Sequence, residues 1–403
     1  MFKFVHIADA HLDSAISSDK KNKAFILEAL ERAFKNAVNL CIDEKCDALL
    51  ISGDLFDDDF LSFKTELMLR ESFKRLDSRS IAVFYCLGNH DPKSSKLRKV
   101  KLGENVYTFD SENPKRYEIK NSDGSIKTVL AGVGYSGSRM EENLAKRFSK
   151  ADKKQRVPYV GMLHTSLDEG GSKVYAPCTL DDLNQAGFDY WALGHVHKNK
   201  QYGSDRLVVY PGCICGRDFG ETGAKGGYIA VMDENGIVSL EFKELADIAW
   251  HDIETAGFED AKDAADMQEV CVKKISDISD SNKTNFIRLS LKGQCAIYEL
   301  FNDEALRDLE DDLCSITGSN ITLINKLTSA LNPKDYANDK HLLSIALDMA
   351  EKMHSDEEIT EQVIKTAETN YKGLDGGGSK EYVESLLDDI DTKLCEVMIK
   401  SNK

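Results

Sequence analysis

Residues 2–11 read Phe-Lys-Phe-Val-His-Ile-Ala-Asp-Ala-His, an apolar run that ends in an aspartate and a histidine. The apolar part, residues 2–8, predicts a β-strand. Asp9 and His11 lie two residues apart, so in an extended chain their side chains point to the same side and can bind one ion. We therefore expect a metal-binding edge at the carboxyl end of this first strand.

The same arrangement, an apolar strand followed by polar residues that can bind metal, recurs through the first half of the chain. The further motifs are Gly53-Asp54-Leu-Phe-Asp57, Gly88-Asn89-His90-Asp91, His164 and Gly194-His195-Val-His197. Ligand sites in α/β sheets form at the carboxyl ends of strands. Each motif alone is also consistent with an ordinary core or surface histidine, but the whole series favours a metal site. The mixture of imidazole, carboxylate and amide suits Mn²⁺, Fe²⁺ or Zn²⁺, and the motifs lack the cysteines of a structural zinc site.

Helices alternate with strands between these motifs. Predicted helices cover 24–42, 61–77 and 179–187, the first from an apolar stripe that includes Phe25. Predicted strands cover 47–52, 81–87, 157–163 and 189–193, with a hairpin turn at 121–124 and consecutive strands over 205–245. This order predicts an α/β fold, with two packed sheets and outer helices over residues 1–250.

The motif series resembles the signature of the calcineurin-like metallophosphoesterases. Residues 6–13, 53–57 and 193–197 are most similar to SbcD-type DNA repair exonucleases, and residues 210–226 resemble the YhaO-like bacterial branch. The similarity covers about residues 1–250. It implies a two-sheet metallophosphoesterase sandwich and a two-metal-dependent DNA exonuclease of DNA repair.

The resemblance also implies a role for each motif residue. One ion would be bound by Asp9, His11, Asp54 and His197. The other would be bound by Asp54, Asn89, His164 and His195, so that the Asp54 carboxylate bridges the pair. His90 would face the scissile phosphate and Asp57 would orient it. Mn²⁺ is the first expectation for the metal, with Fe²⁺, Zn²⁺ and Mg²⁺ as alternatives.

Basic residues near these motifs are candidate contacts to DNA backbone phosphates. They are Lys93, Lys96, Arg98, Lys99 and Lys101, followed later in the chain by Lys198, Lys200, Arg217 and Lys225. A solvated lysine-rich helix is an equal alternative for residues 92–101. Arg217 and Lys225 are equally consistent with an exposed loop.

The chain changes character after about Trp250. Residues 250–403 carry 32 acidic and 17 basic side chains, which accounts for −15 of the total net charge of −17 and argues against DNA binding there. Residues 251–335 are predicted to form a linker and a small α/β capping domain, with a strand–helix–strand over 285–326. Residues 336–403 are predicted to be an acidic helical C-terminal region.

The resemblance implies that the final predicted helix, 380–399, docks on an SbcC-like coiled-coil ATPase subunit, and it allows a homodimer. The alternative for this helix is packing within its own chain. Two other functions stay open: a phosphodiesterase acting on small or cyclic nucleotides, and a non-catalytic DNA-tethering subunit.

Composition excludes several classes of protein. The 403 residues are 41% hydrophobic and 30% charged, which excludes wholesale disorder. No run approaches the ~20 apolar residues of a membrane span. The chain opens on a strand, without a basic-then-apolar leader. The ten cysteines are scattered with no C-x-x-C pair, so we expect reduced, buried thiols, including Cys213 and Cys215, and a cytoplasmic location.

Overall fold

The computed structural model describes residues 1–14, 22–57, 61–91, 102–329 and 342–355, except 112, 136, 138, 168–174 and 205, with isolated later positions at 361, 362, 365, 366, 390, 391, 394 and 398. The chain divides into two compact units. The first comprises Met1–His251 and Asp280–Phe286, and the second comprises Asp252–Ser279 and Ile287–Lys403. The basic stretch 92–101 and most of the predicted helix 380–399 lie outside the described residues.

Two six-stranded sheets form the centre of the first unit. Their strands are β1 (Phe2–Ile7), β2 (Ala48–Ser52), β3 (Ala82–Cys86), β4 (Val106–Phe109), β5 (Lys115–Lys120), β6 (Ile126–Gly132), β7 (Tyr159–His164), β8 (Tyr190–Gly194), β9 (Lys200–Tyr202), β10 (Leu207–Tyr210), β11 (Gly226–Asp233) and β12 (Gly236–Glu244). One sheet has the order β12-β11-β1-β2-β3-β4 and the other the order β5-β6-β7-β8-β10-β9. Neighbours from β1 to β4 are parallel, and so are β6, β7, β8 and β10.

Apolar side chains fill the space between the two sheets. Phe4, Leu50 and Phe84 of the first sheet belong to the same buried cluster as Val160 and Tyr190 of the second. Because β2 is buried along its whole length, it is apolar on both faces, as expected for a central parallel strand. The predicted packing of two sheets is therefore confirmed.

Helices cover the outer faces of the sheets. The helices α1 (Lys23–Asp43) and α2 (Phe63–Asp77) pack on the first sheet, and α3 (Leu180–Ala186) packs on the second. The predicted stripe of α1 is buried except at Ile42, which is half-buried, and at Phe25, which is 37% exposed. The Phe25 ring lies instead against Phe286 and under the guanidinium of Arg32.

Residues 248–329 contain a three-stranded sheet in the order β13-β14-β15. The elements from here on are β13 (Ile248–Thr255), α4 (Ala264–Ile278), β14 (Thr284–Cys295), α5 (Asp303–Thr317), β15 (Asn320–Ser329) and α6 (Leu342–Ser355). Residues 248–251 of β13 and 284–286 of β14 belong to the first unit, and the rest of these elements to the second. The sequence predicted the segment from β14 to β15 but did not predict β13 or α4. In α4 the buried residues Met267, Cys271 and Ile275 recur at every fourth position, a helical spacing that the sequence prediction overlooked.

Within the described part of the chain, no helix has both the length and the apolar character needed to cross a lipid bilayer. The cysteines described there are free thiols, and all are buried except the half-buried Cys314. Cys213 and Cys215 are 1% and 0% exposed, which agrees with the packing role expected for them.

Candidate metal centre

The motif residues lie at one edge of the first unit, where parallel strands end. They stand at the ends of β1, β2, β3, β7 and β8, in the order Asp9, Asp54, Asn89, His164 and His195. Backbone hydrogen bonds join the first two loops, from the Asp9 N–H to the Gly53 carbonyl (3.1 Å) and from the His11 N–H to the Asp54 carbonyl (3.0 Å). The topology of the sheets therefore brings together residues that are far apart in the sequence.

The backbone at this edge is not extended. Asp9, His11 and Asp54 have φ angles of 49°, 45° and 48°, and His195 has a φ of 102°. Such values are unfavourable for residues other than glycine, cost ~1–3 kcal/mol each, and cluster at functional sites. The expectation that Asp9 and His11 share a direction because the chain is extended is therefore wrong, since left-handed turns orient these side chains.

Asp9, His11 and His197 form a first cluster, with ligand atoms within 4.8 Å of one another. The Nε2 atoms of His11 and His197 lie 3.2 Å apart. Two imidazole lone pairs repel at this distance, so a proton or a cation must lie between them. The Nδ1 of His11 is buried without a hydrogen bond, 3.6 Å from Asp57. Burial lowers the pKa of His11, which favours the neutral imidazole that binds metal.

Asp9, Asp54 and His164 form a second cluster under the same distance criterion. The Nδ1 of His164 donates to the Ser52 carbonyl (3.0 Å), so the ring is fixed. Its Nε2 lies 3.3 Å from Oδ2 of Asp54, and that same oxygen is 4.0 Å from Nε2 of His11. The Asp54 carboxylate of the second cluster therefore also faces His11 of the first.

Asn89 places a neutral amide oxygen beside the second cluster. Its Oδ1 lies 3.0 Å from Nε2 of His164. Burial opposes a charge on His164, but the carboxylates of Asp54 and Asp9 outweigh it and raise the pKa of His164 to about 9. With no metal bound, this imidazolium is the cation that balances the buried carboxylates.

His195 is placed differently from the other predicted ligands. Its backbone N–H donates to both carboxylate oxygens of Asp9 (3.0 and 3.1 Å). Its ring lies 5.2 Å from the His164 ring, between centroids, but it joins none of the clusters found among the described residues. Burial, reinforced by the charge of His164, lowers the pKa of His195 to about 3, so this imidazole is neutral.

His90 and Asp57 lie beside the first cluster. The Nδ1 of His90 is 3.0 Å from Oδ1 of Asp57, and the side chain of His90 is 41% exposed. The His90 N–H donates to Oδ1 of Asp54 (2.8 Å). Burial opposes ionisation of Asp57, but contacts with His11, His90 and Ser14 hold its pKa far below the usual range. Asp57 is therefore an ionised partner for His90.

Asp91 closes the motif that contains Asn89 and His90, but the sequence assigned it no role of its own. Its carboxylate accepts the backbone N–H groups of Gly88 (2.7 Å), Asp54 (2.8 Å) and Phe56 (3.2 Å). It thus fastens the loop after β2 to the loop after β3. Its position directly after the Asn89-His90 pair was the available signal.

The structure changes the interpretation of two basic residues. Arg217 is 18% exposed and forms ion pairs with Glu221 (2.8 Å) and Asp57 (3.6 Å). Lys225 is 5% exposed and donates to the His197 carbonyl (3.1 Å). Neither side chain belongs to an exposed loop, because each satisfies buried acceptors behind the clusters. Lys198 and Lys200 are exposed.

The donor set fits a pair of divalent ions. Imidazole nitrogens, carboxylates and one amide oxygen suit borderline-hard metals. The two clusters share Asp9, and Asp54 of the second also faces His11 of the first.

Comparison with known proteins agrees with this geometry. The family model of the calcineurin-like phosphoesterases matches residues 2–199. The uncharacterized metallophosphoesterase YhaO of Bacillus subtilis is 32% identical over 297 residues, which cover 72% of this chain and 71% of that protein. The chain belongs to the calcineurin-like phosphoesterase family. This metallophosphoesterase is therefore a metal-dependent hydrolase of phosphate esters, and the resemblance seen in its motifs is confirmed.

Two archaeal relatives of the metallophosphoesterase are DNA double-strand break repair proteins Mre11. The protein from Archaeoglobus fulgidus is 26% identical over 309 residues, which cover 68% of each chain. The protein from Methanocaldococcus jannaschii is 28% identical over 222 residues, which cover 52% of this chain and 55% of the relative.

Proposed function

We propose that this metallophosphoesterase is a two-metal DNA exonuclease of DNA repair. The observation that carries the proposal is the convergence of Asp9, His11, Asp54, His164 and His197 within two adjoining clusters. Asp9, His11, Asp54 and His197 would hold one ion. Asp54, Asn89, His164 and His195 would hold the other, with Mn²⁺ as the first candidate. Such ions supply a nucleophile at neutral pH and neutralise charge on the phosphate.

His90 is the proposed catalytic residue. Cleaving a phosphodiester requires a proton for the leaving oxygen, and a positioned imidazolium supplies it. The ionised Asp57 accepts from Nδ1 of His90 (3.0 Å), which orients the ring for the proposed proton donation to the leaving group. Its 41% exposure keeps the imidazole accessible to substrate.

DNA is the proposed substrate on two grounds. The Mre11 relatives are DNA double-strand break repair proteins by name. In addition, the exposed Lys198 and Lys200 follow the last histidine pair, and Lys93, Lys96, Arg98, Lys99 and Lys101 follow His90 in the sequence. A cationic rim of this kind binds backbone phosphates without reading sequence.

The roles of the remaining chain are proposals that rest on the resemblance. Residues 251–335 would form the capping domain. The final predicted helix, 380–399, would bind an SbcC-like coiled-coil ATPase subunit. The acidic charge of residues 336–403 argues against DNA binding there, because it repels phosphate. A homodimer is a further proposal.

A nuclease assay on end-labelled duplex DNA with Mn²⁺ tests the function. We expect stepwise shortening by the wild type and a loss of ~10²–10⁴-fold in His90→Ala, with both ions still bound. Hydrolysis of bis-p-nitrophenyl phosphate or a cyclic nucleotide without DNA cleavage would favour the small-substrate alternative. DNA binding with no hydrolysis of any ester would favour the tethering subunit, and full activity of His90→Ala would overturn the catalytic assignment.

A further inference from the structure

Behind the first cluster, His197 makes a hydrogen bond with Glu221. The Nδ1 of His197 donates to Oε1 of Glu221 over 2.6 Å. Because a carboxylate only accepts, Nδ1 must carry the proton, and the Nε2 that faces His11 keeps its lone pair when the ring is neutral. Glu221 is 10% exposed, so this contact is shielded from solvent.

Arg217 holds the Glu221 carboxylate in place. Its backbone N–H and its Nη2 donate to the two oxygens over 2.8 Å each, and Nε adds a third contact at 3.3 Å. Glu221 is ionised, because hydrogen bonds with His197 and Arg217 outweigh the effect of burial and hold its pKa far below the usual range. Planar guanidinium and carboxylate groups match in this geometry, which gives strong orientation.

The same guanidinium reaches the residue that supports His90. The Nη1 of Arg217 lies 3.6 Å from Oδ2 of Asp57 and 3.4 Å from Oγ of Ser14. Ser14 in turn donates to Oδ2 of Asp57 over 2.6 Å. One arginine therefore contacts the carboxylates that stand behind His197 and behind His90.

A third metal site is the rival interpretation, since ligand atoms of His197, Cys213 and Glu221 lie within 4.8 Å of one another. The Arg217 guanidinium argues against it, because it already binds Glu221 and lies 3.5 Å from Nδ1 of His197. The Cys213 thiol donates to the His197 carbonyl, so it is not the free thiolate that would bind a metal.

We propose that Glu221 and Arg217 are positioning residues. Glu221 fixes the His197 ring with Nε2 toward Asp9 and His11, and Arg217 links that carboxylate to the Asp57–His90 pair. This inference rests on the proposed two-metal centre. It assigns Arg217 an internal role instead of a contact with DNA.

Mn²⁺ binding by the full chain, titrated by calorimetry, tests the role of Glu221. We expect Glu221→Gln to weaken one of the two ions ~10–100-fold and to leave the other close to wild type. Nitrogen-15 spectra of the histidine rings should show that His197 loses its fixed Nδ1–H tautomer. Glu44→Gln, which breaks an exposed ion pair with Lys3, is the matched control and should leave both ions unchanged.

Arg217→Gln tests the link to His90. We expect kcat to fall ~10–100-fold, while the salt dependence of DNA affinity keeps its slope. An arginine that bound phosphate would instead lower that slope by about one counterion. Arg32→Gln breaks another arginine–aspartate pair and should change neither quantity. Arg217→Lys keeps the charge without the planar fork and provides a second test if a glutamine variant does not fold.

Wild-type affinity for both ions in Glu221→Gln, with the His197 tautomer unchanged, would overturn the role of Glu221. If Arg217→Gln kept a normal kcat and its DNA affinity depended less steeply on salt, the proposed role of Arg217 would be overturned. If the wild type itself bound no Mn²⁺, the proposed two-metal centre would fail first, so the two failures are distinguishable.

Discussion

Asp57 is surrounded by polar side chains from separate loops. It accepts from Ser14 (2.6 Å), pairs with Nδ1 of His90 (3.0 Å), and lies 3.6 Å from His11 and from Arg217. An ionised carboxylate in this position favours the protonated form of an adjacent imidazole. Asp57 therefore contributes to the proton donation that we propose for His90.

His164 makes the stability of the metal-free protein depend on pH. Its pKa of about 9 in the folded protein is above the usual 6.5 of histidine, so its ion pair stabilises fully below pH 6.5 and is lost as pH rises through 9. We expect the free energy of unfolding in EDTA to fall over this window by an amount on the order of 3 kcal/mol. The melting temperature should fall with it. Thermal melts at several pH values measure it, with His164→Gln as the control that should lack the decline. If the melting temperature fell equally with pH in the wild type and in His164→Gln, the prediction would be contradicted.

At the residue scale, the motifs predicted which side chains lie close together but not how these side chains are oriented. Asp9, His11, Asp54, Asn89, His164 and His197 were identified because each is a polar residue at the end of an apolar strand. Their role as ligands stays a prediction. Their orientation depends on left-handed φ angles, which the residue types do not reveal. Glu221 was missed because a glutamate in a Gly-rich stretch carries no periodic signal.

At the scale of elements, glycines allow the strand ends to approach closely. A Cβ on Gly194, after β8, would lie 1.7 Å from the Ser52 carbonyl oxygen at the end of β2. A Cβ on Gly88, after β3, would lie 2.2 Å from Oδ1 of Asp54. The two sheets can therefore bring their ligands together only where these positions lack a side chain.

Gly194→Ala should separate the ends of β2 and β8. We expect a loss of ~1–3 kcal/mol from overpacking, a melting temperature lower by roughly 2–10 °C, and weaker Mn²⁺ binding. Thermal melts and metal titration measure these effects. Gly137→Ala is the control, because a Cβ there meets only the Arg139 carbonyl at 3.9 Å. Wild-type stability of Gly194→Ala would refute the close-approach argument.

Element prediction succeeded where the periodic signal was long. The apolar stripe of α1 and the apolar run of β2 determined both elements within one or two residues. β9 (Lys200–Tyr202) was missed because three residues carry no usable period. The helix α4 was missed despite a cap signal at Asp263, whose side chain accepts from the N–H groups of Ala265 and Asp266.

At the scale of the whole molecule, metal binding should stabilise the first unit, which contains both clusters. Ions that bind only the folded state at ~100 times their Kd contribute about 2.7 kcal/mol per site. We expect EDTA to lower the melting temperature relative to Mn²⁺ by roughly 10–20 °C when both sites are filled, measured by calorimetry. A variant with His11→Ala and His197→Ala should lose at least half of this difference. Identical melting temperatures in EDTA and Mn²⁺ would exclude the metal centre.

The Asp91 carboxylate accepts backbone N–H groups from two loops. This limits which residues can replace aspartate at position 91. Asparagine would place an amide N–H₂ where only an acceptor fits. The residue at position 91 therefore governs the spacing between the loop that carries Asp54 and the loop that carries Asn89. A substitution at this position should therefore disturb the loops that carry Asp54 and Asn89 together rather than one at a time.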